Sequence, residues 1–547
     1  MHPLGATEIS PAHCMLLGCR HDAGDISIPI ARRPGRKRIV ELGSGETESS
    51  DQTMWKCVAA MNRLRMLLLM VLAALFGLGG CATAPINPPI TRADPNAGYR
   101  FETRTQYARN KEDIVVLAFS GGGTRAAAFS YGVLEILRNT EVMGRDGRRE
   151  RLIDWVDVIT GVSGGSFTAL AYGLYGDQLF SEYVQRFLKR DVQGELIGRA
   201  LNPVHWGQLS SPYFGRSELA ADLYDEILFN GATFANLQRG SGPMVVASAT
   251  DLNSGARFYF TQKMFDILCS DLSAVRLSRA AAASSGVPVV LSPVTIDNYA
   301  GTCSYKEPPF LARIEKSANV ARPEARAIQD MKELRYYEDG KQRPYLHLVD
   351  GGVADNLAMR EILAVLEELE ALHLEGLPTP LDHAKRLALF VVNSLSTPPL
   401  DWDQERRAPG TLDVLLQATG VPIDHYSYET VELLRDTAAR WKMLRSIRDS
   451  GAIIDNGNPA LAEVMRVPNL EIYVINVSFA ELNDATERAY LNEQPTSFVL
   501  SAEAVDRLRA AAGRIVLESP DFQKYLKVLG DRIVKTPTPD GKLAPPP

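Results

Sequence analysis

The sequence predicts an α/β fold of three layers, α/β/α, built around a mostly parallel central sheet. From Asp113 onward, short runs of β-branched and other apolar residues alternate with stretches of helical pattern, which is typical of βαβ units. Ile114–Phe119 is apolar throughout, as expected of a central strand that is covered on both faces. These two observations favour a sheet enclosed between two layers of helices.

The predicted elements follow one another along the chain. Strands are expected at Ile114–Phe119, Val156–Gly161, Val245–Thr250, Val289–Val294, Tyr345–Val349, Leu387–Val392 and Ile472–Val477. Helices are expected at Thr124–Arg138, Gly165–Tyr175, Ser217–Leu228, Asn356–Leu372 and Val431–Ser450. The stretch from Leu400 to Pro422 is rich in polar residues, proline and glycine, and it is interpreted as a long surface connection. A strand and two helices should follow it and end near Val534.

Composition and charge are those of an ordinary globular protein. Of the 547 residues, 45% are hydrophobic and 23% are charged, and the formal net charge is −7. A nucleic-acid-binding protein would present a basic face, so we expect no nucleic-acid partner. The length allows one large α/β domain with additions or two or three smaller domains. From the patterns along the chain we expect a main α/β domain at 113–395, a C-terminal extension packed on it at 396–534, and a disordered proline-rich tail at 535–547.

The N-terminal region has the pattern of a secretory signal. The short basic segment Met61–Arg65 precedes an apolar run, Met66–Leu78, which is too short to span a bilayer. The next residues, Leu78-Gly79-Gly80-Cys81, resemble the lipobox of bacterial lipoproteins, in which the cysteine is lipidated and becomes the mature N-terminus. The alternative is an uncleaved apolar segment with an incidental cysteine.

The lipobox implies how the first part of the chain is divided. We expect an over-long, disordered start at 1–60, a lipoprotein signal peptide at 61–80 and a tether at 81–112, flexible from Thr83 to Ala97. The protein would be held at the cell envelope by a lipid on Cys81. An outer-membrane anchor facing the periplasm is expected, because Ala82 lacks the acidic character associated with inner-membrane retention. The membrane leaflet and the oligomeric state are left open.

Two cysteines would remain free of the signal and the anchor. After cleavage behind Gly80, the mature chain would contain the acylated Cys81 and two further cysteines, Cys269 and Cys303. In an oxidising compartment this pair can form a disulfide, and two separate buried thiols are an equal alternative. Their spacing matches no zinc pattern.

The strongest local motif is Gly161-Val162-Ser163-Gly164-Gly165, a G-x-S-x-G sequence between a predicted strand and a predicted helix. A sharp strand-to-helix turn exposes a serine hydroxyl above the sheet edge, and glycines permit the close backbone approach. The helix N-terminus then faces any developing anion. The sequence therefore predicts that Ser163 is a nucleophile, with Gly164 in a supporting place.

A second glycine-rich loop, Gly121-Gly122-Gly123, also lies between a strand and a helix. Unhindered backbone N–H groups there could stabilise an oxyanion, with about 2.7–4 kcal/mol per donor. The loop fits neither the phosphate-binding nor the dinucleotide-binding pattern. Arg125, in the first helical turn, could anchor the loop or polarise the site, and a solvated arginine is an equal alternative.

The third motif, His347-Leu348-Val349-Asp350-Gly351-Gly352, ends another predicted strand, and Asp355 is placed to cap the next helix. A carboxylate at a strand end can reach a serine on a neighbouring loop, and partial desolvation would raise its basicity. Asp350 is therefore a candidate general base. The alternative is a turn aspartate that tethers the two glycines.

Together, these motifs resemble the patatin-like phospholipase family, which combines a glycine-rich oxyanion loop, a G-x-S-x-G serine and an Asp-Gly-Gly/Ala aspartate in this order. The resemblance runs from about Asp113 to Val392 and includes the small-residue run Ala283–Pro288. It implies oxyanion donors at Gly121, Gly122 and Gly123, a supporting Arg125, the nucleophile Ser163 and the base Asp350. Gln494–Phe498 resembles an extension of some bacterial members.

Two positions depart from the family pattern, and two rival functions stay open. Ser120 stands where many members have Asp, and Ala126 where many have Gly. The resemblance implies a lipolytic acyl hydrolase that acts on a phospholipid or another lipid ester without a metal or an organic cofactor. The rivals are a Ser-His-Asp esterase of small soluble esters and a non-catalytic envelope lipoprotein. The histidines that follow the acid in chain order are His373, His383 and His425.

Overall fold

The computed structural model describes residues 61–63, 65–67, 70, 85–101, 103–104, 112–144, 146–288, 290–307, 332–374, 376–397, 401–404, 406, 408–454, 461–529 and 533–534. The chain divides into two compact units, Met1–Val71 and Leu72–Pro547. In the first unit, the described residues are helical. Within the described ranges, no helix has both the length and the apolar character needed to cross a bilayer.

The strands of the second unit are β1 Asp113–Phe119, β2 Thr140–Met143, β3 Arg149–Arg151, β4 Val156–Val162, β5 Met244–Asp251, β6 Arg257–Tyr259, β7 Val294–Asp297, β8 Tyr345–Asp350, β9 Arg386–Asn393, β10 Glu471–Ser478 and β11 Ile533–Val534. The main sheet has the order β10-β9-β1-β4-β5-β8-β7, with β6 paired to β5. Strands β10, β9, β1, β4 and β5 are parallel. Strand β8 is antiparallel to both β5 and β7.

The helices are α1 Gly123–Asn139, α2 Gly164–Tyr175, α3 Leu179–Tyr183, α4 Val192–Leu201, α5 Pro203–Leu209, α6 Arg216–Tyr224, α7 Phe234–Arg239, α8 Gln262–Ile267, α9 Leu277–Ser284, α10 Gly352–Asp355, α11 Arg360–Leu374, α12 Thr411–Asp449, α13 Ala462–Met465, α14 Ala485–Asn492, α15 Ala502–Glu518 and α16 Pro520–Val528. Two short π-helical segments extend α3 and α6, at Val184–Leu188 and Asp225–Phe229.

Alternate residues of β1 enter two different hydrophobic cores. Val115, Leu117 and Phe119 belong to one buried cluster. Val116 and Ala118 belong to the other. Because successive side chains of a strand point to opposite faces, the sheet separates two apolar layers covered by helices. The predicted three-layer α/β/α architecture with a mostly parallel sheet is therefore confirmed.

Three of the predicted elements are wrong. The strand expected at Val289–Val294 begins only at Val294, since Pro288 and Pro293 remove backbone donors from that stretch. The helix expected from Asn356 is interrupted, because Ala358 has a φ of 54° and no right-handed helix can pass through it. The surface connection expected up to Pro422 is already helical from Thr411, where the long α12 begins.

The segment expected to be a flexible tether is docked on the main domain where the structure describes it. Ile90 N–H donates to the Cys269 carbonyl at 2.8 Å, and Ala93 N–H donates to the Cys303 carbonyl at 3.2 Å. The buried Asn87 side chain bonds to Ser270 and to the backbone of β7. The expected flexibility is therefore wrong for Pro85–Ala97, because its extended backbone finds partners on an adjacent loop.

Cys269 and Cys303 form a disulfide, with their Cα atoms 5.3 Å apart. This resolves the two sequence alternatives in favour of the covalent pair. The bridge lies under the docked segment, since both cysteine carbonyls accept hydrogen bonds from it. The N-terminal part of the second unit is thereby fixed to a cross-linked loop.

The C-terminal part packs closely on the main domain. Strand β10 pairs with β9 over eight residues. Helix α15 lies against α1, and a Cβ added at Gly132 would lie 2.8 Å from the Arg509 Cα, so that crossing requires glycine. Arg509 also forms an ion pair with Glu135 of α1. These contacts bring the chain after Asn492 to the loop that precedes α1.

Candidate active site

Ser163 occupies the sharp turn between β4 and α2. Its backbone has a φ of 48° and a ψ of −120°, which is a costly conformation for a residue with a side chain. Gly164 follows at a point where the chain nearly touches the glycine-rich loop, since an added Cβ would collide with the Gly123 carbonyl. Ser163 is only 5% exposed. The strand-to-helix turn expected from the G-x-S-x-G motif is present, and it holds the serine in a fixed place that is largely enclosed rather than exposed.

Asp350 ends β8 at the same place. It pairs with Ala249 of β5, whose neighbour Ser248 pairs with Val162, so one strand separates the aspartate from the serine turn. The Gly352 N–H donates to Asp350 Oδ1 at 2.7 Å. The Ser163 hydroxyl lies close enough to the Asp350 carboxylate to lower its pKa. The structure thus brings together two side chains nearly two hundred positions apart.

The environment of Asp350 makes it a stronger base than a free aspartate. Burial raises the pKa of this carboxyl to about 6, while the hydrogen bond from Gly352 and the nearby Ser163 hydroxyl work in the opposite direction. Asp350 is 8% exposed, so desolvation of the charged form is the leading cause. At neutral pH the group is still ionised, and it is able to accept a proton from the serine.

The glycine-rich loop between β1 and α1 has two kinds of backbone donors. Gly121 N–H already donates to the Asn356 carbonyl at 2.9 Å. The N–H groups of Gly122 and Gly123 have no acceptor among the residues that the structure describes. Gly122 and Gly123 have φ values of 135° and 59°, which favour glycine. In this conformation the second and third glycines are the candidate oxyanion donors, and the first one anchors the loop.

Arg125 is a buried anchor rather than a solvated side chain. Its Nε donates to the Ser394 carbonyl at 2.7 Å, at the end of β9. Its two terminal nitrogens donate to the Gln494 carbonyl at 2.7 Å and to Thr496 Oγ1 at 2.9 Å. The guanidinium therefore joins the start of α1 to the sheet and to the C-terminal segment. Of the alternatives that the sequence left open, these contacts favour the anchoring one.

Ser120, one of the departures from the family pattern, has a defined structural place. Its hydroxyl accepts the Ser394 N–H at 2.9 Å, and the two serine hydroxyls lie 3.1 Å apart. The Ser394 hydroxyl donates to the Gly121 carbonyl at 3.0 Å. The loop is therefore tied to β9 through hydroxyl groups without an ionised side chain at this position.

Sequence reasoning missed several residues that shape the site. The Ser497 carbonyl accepts the Thr124 N–H at 2.8 Å and lies against Gly123. Asn356 supplies the carbonyl that holds Gly121, and its side-chain oxygen lies close to Gly121 and Gly352. No local motif marks either residue, although Ser497 lies in the Gln494–Phe498 segment that the resemblance singled out.

Two of the described histidines bond to side chains away from the candidate dyad. His347 lies 3.1 Å from Thr295 Oγ1 on β7, and His373 lies 2.7 Å from Asp382. His383 lies in the turn after Pro380, and the side chain of His425 lies outside the described residues, as does Cys81. Among the described side chains, no histidine bonds to Ser163 or Asp350. The same part of the chain holds no cluster of three His, Cys, Asp or Glu side chains that could bind a metal ion.

Residues 117–363 match the Patatin family model, described as patatin-like phospholipase. No curated protein sequence matches the chain. This range contains the glycine-rich loop, Ser163 and Asp350.

Three solved structures align with most of this chain at low sequence identity and low TM-score. Human GIVD cytosolic phospholipase A2 is 13% identical with a TM-score of 0.36, and the alignment covers 76% of this chain and 62% of that one. VipD from Legionella pneumophila is 11% identical with a TM-score of 0.20, covering 73% and 66%. The type III effector protein ExoU is 15% identical with a TM-score of 0.18, covering 77% and 75%. The chain thus spans about three fifths of the length of the human enzyme.

Proposed function

We propose that this chain is a lipolytic serine acyl hydrolase, in which Ser163 is the nucleophile and Asp350 is the general base. The observation that carries the proposal is the strained turn that places the Ser163 hydroxyl beside a buried carboxylate whose pKa is raised to about 6. A nucleophile beside its base, close to backbone N–H groups that have no acceptor among the described residues, is an arrangement suited to acyl transfer.

The reaction would proceed through an acyl-enzyme. Ser163 Oγ attacks the ester carbonyl carbon while Asp350 accepts the hydroxyl proton, and the N–H groups of Gly122 and Gly123 stabilise the oxyanion. The tetrahedral intermediate then expels the alcohol, which takes the proton from Asp350. A water molecule, deprotonated by Asp350, attacks the acyl-enzyme in the same way. The fatty acid leaves and Ser163 regains its proton.

The surface beside the site favours a lipid ester over a small soluble ester. We define the α4–α5 hairpin as Val192–Leu209. At its start, Gln193 accepts the Phe498 N–H, and Phe498 follows the Ser497 carbonyl that lies against Gly123. Along the hairpin, several large apolar side chains are more than half exposed: Ile197, Leu201, Val204 and Trp206. From Leu201 to Gly215 the sequence contains no Lys, Arg, Asp or Glu. Exposed apolar side chains on a hairpin whose first turn contacts the segment beside the glycine-rich loop suit an aggregated lipid substrate.

The location that we propose is the cell envelope, with a lipid anchor on Cys81. The lipobox-like sequence motivates this proposal, and the Cys269–Cys303 disulfide supports an oxidising compartment outside the cytoplasm. The acidic net charge gives no attraction to anionic lipid, so membrane attachment would depend on the anchor and on apolar surface.

The dyad is tested by Ser163→Ala and Asp350→Asn, assayed with p-nitrophenyl acyl esters. Each substitution should lower kcat at least about 10³-fold, because it removes either the nucleophile or the proton acceptor. Far-ultraviolet circular dichroism and the melting temperature should show that both variants remain folded. Substantial hydrolysis by either folded variant would reject the dyad.

A further inference from the structure

The last turn of α9 contacts both halves of the candidate dyad. Ser284, the final residue of that helix, is 0% exposed. Its hydroxyl oxygen accepts the Ser163 N–H at 2.9 Å. Its backbone carbonyl accepts the Gly351 N–H at 3.1 Å, next to Asp350. A single residue therefore bonds to the backbone at the nucleophile and to the backbone beside the base.

The bond to Ser163 is made at a point of backbone strain. Ser163 has a φ of 48°, a backbone conformation that residues with a side chain rarely adopt. Contacts with the surrounding residues must therefore stabilise this conformation. The N–H of this residue is enclosed, and loss of its acceptor would leave a buried donor unsatisfied. The Ser284 hydroxyl is thus one of the contacts that fix the direction in which the Ser163 side chain points.

The chain just after Ser284 holds the other partner. The Gly286 carbonyl accepts the Asp350 N–H at 3.0 Å. The backbone carbonyls of Ser284 and Gly286 therefore bond to the chain at the end of β8, and the Ser284 hydroxyl bonds to the turn after β4. The backbone bonds to Asp350 and Gly351 do not depend on the Ser284 side chain, so its hydroxyl can be removed while they are kept.

We propose that Ser284 is a positioning residue, whose hydroxyl orients the Ser163 nucleophile toward Asp350. This inference rests on the hydrolase function proposed above. It assigns a role to one member of the small-residue run Ala283–Pro288, to which neither the motifs nor the family match gives a role.

The experiment compares Ser284→Ala with Ser285→Ala. Ser285 is a matched control, because it is equally buried and its hydroxyl donates to the Ala281 carbonyl of its own helix at 2.7 Å. Misplacement of a reacting group by a fraction of an ångström to 1 Å costs up to about 10²-fold in rate. Ser284→Ala should therefore lower kcat about 10- to 100-fold with KM nearly unchanged, and Ser285→Ala should stay within about threefold of the wild type.

The pH profile gives a second readout, which loss of packing alone would not move. The nearby Ser163 hydroxyl lowers the pKa of Asp350, so turning that hydroxyl away should shift the acid limb of the rate profile to higher pH. The shift is expected in Ser284→Ala and not in Ser285→Ala. Ser284→Cys keeps the side-chain shape but offers a weaker acceptor, and it is used if alanine reduces the folded fraction.

The outcomes separate this inference from the function on which it rests. Folded Ser284→Ala or Ser284→Cys with wild-type kcat and acid limb would overturn the positioning role, as would equal losses in the Ser284 and Ser285 variants. Hydrolysis that persists in Ser163→Ala would instead overturn the proposed function. Activity lost in Ser163→Ala and retained in Ser284→Ala would reject only the positioning role.

Discussion

At the scale of residues, the proposed chemistry depends on how Ser163 and Asp350 are enclosed. Burial raises the pKa of the aspartate, and a strained turn presents the serine to it. Both residues were identifiable from sequence, because a strained turn and a close backbone approach require glycines at fixed spacing. The contributions of Ser284 and Asn356 were not, since a buried hydroxyl or amide acquires its role only from what the fold places beside it.

The raised pKa of Asp350 predicts the acid limb of the activity profile. The base must be ionised to accept the serine proton, so kcat/KM for a soluble ester should rise with pH through about 6 and level off above 7. Below the midpoint it should fall about tenfold per pH unit. Tyr224 of α6 also faces Asp350, but burial raises its own pKa well above 10, so it stays neutral in this range.

The measurement is a rate profile from pH 4 to 8, with the folded state checked at each pH. A flat profile, or a midpoint near the value of 3.8 for an ordinary aspartate, would contradict the assignment of Asp350 as a buried general base.

At the scale of elements, the sequence identified most strands of the main sheet well, including the edge strand β10, and the opposite edge strand β7 poorly. The apolar runs of β1, β4, β5 and β9 predicted buried strands, and the alternation of patterns predicted a parallel sheet. The antiparallel direction of β8 was not predictable, because pairing direction depends on distant partners. Prolines 288 and 293 displaced β7, and the positive φ at Ala358 broke a helix that periodicity alone would continue.

The α4–α5 hairpin provides a prediction about the substrate. Trp206 is 51% exposed within its uncharged stretch. Trp206→Ser should lower hydrolysis of phospholipid vesicles about tenfold, because an aromatic side chain inserts favourably at a lipid interface. Activity toward a short-chain soluble ester should change less than about twofold.

Tyr428, an exposed aromatic residue on α12, provides the control variant Tyr428→Ser. A lipid-facing hairpin would be contradicted if Trp206→Ser lowered the hydrolysis of vesicles and of the soluble ester equally. It would also be contradicted if Trp206→Ser left the hydrolysis of vesicles unchanged.

At the scale of the whole molecule, the N-terminal segment connects a proposed anchor to a docked domain. Asn87 is buried and bonded to β7, only six residues after Cys81. An extended chain of this length spans at most about 20 Å, so a lipid on Cys81 would hold the domain close to the membrane surface. Composition predicted a free tether here. It could not show that the extended, proline-containing backbone pairs with the disulfide loop.

Lipidation is tested with Cys81→Ser in cells given labelled palmitate. The wild-type chain should incorporate the label and fractionate with membranes, whereas the variant should do neither, because it lacks the thiol that is acylated. Labelled palmitate on the Cys81→Ser chain would reject the lipobox, and an unlabelled wild-type chain would favour the uncleaved segment.

The central claim, that Ser163 is an activated nucleophile, is tested most directly by a fluorophosphonate probe followed by peptide mapping. Attack by the serine oxygen on phosphorus expels fluoride and leaves a stable adduct. We expect the adduct on the peptide that contains Ser163, slower labelling in Asp350→Asn, and none in Ser163→Ala or in unfolded protein. A folded chain that does not react, or that is labelled equally in Ser163→Ala, would contradict the account.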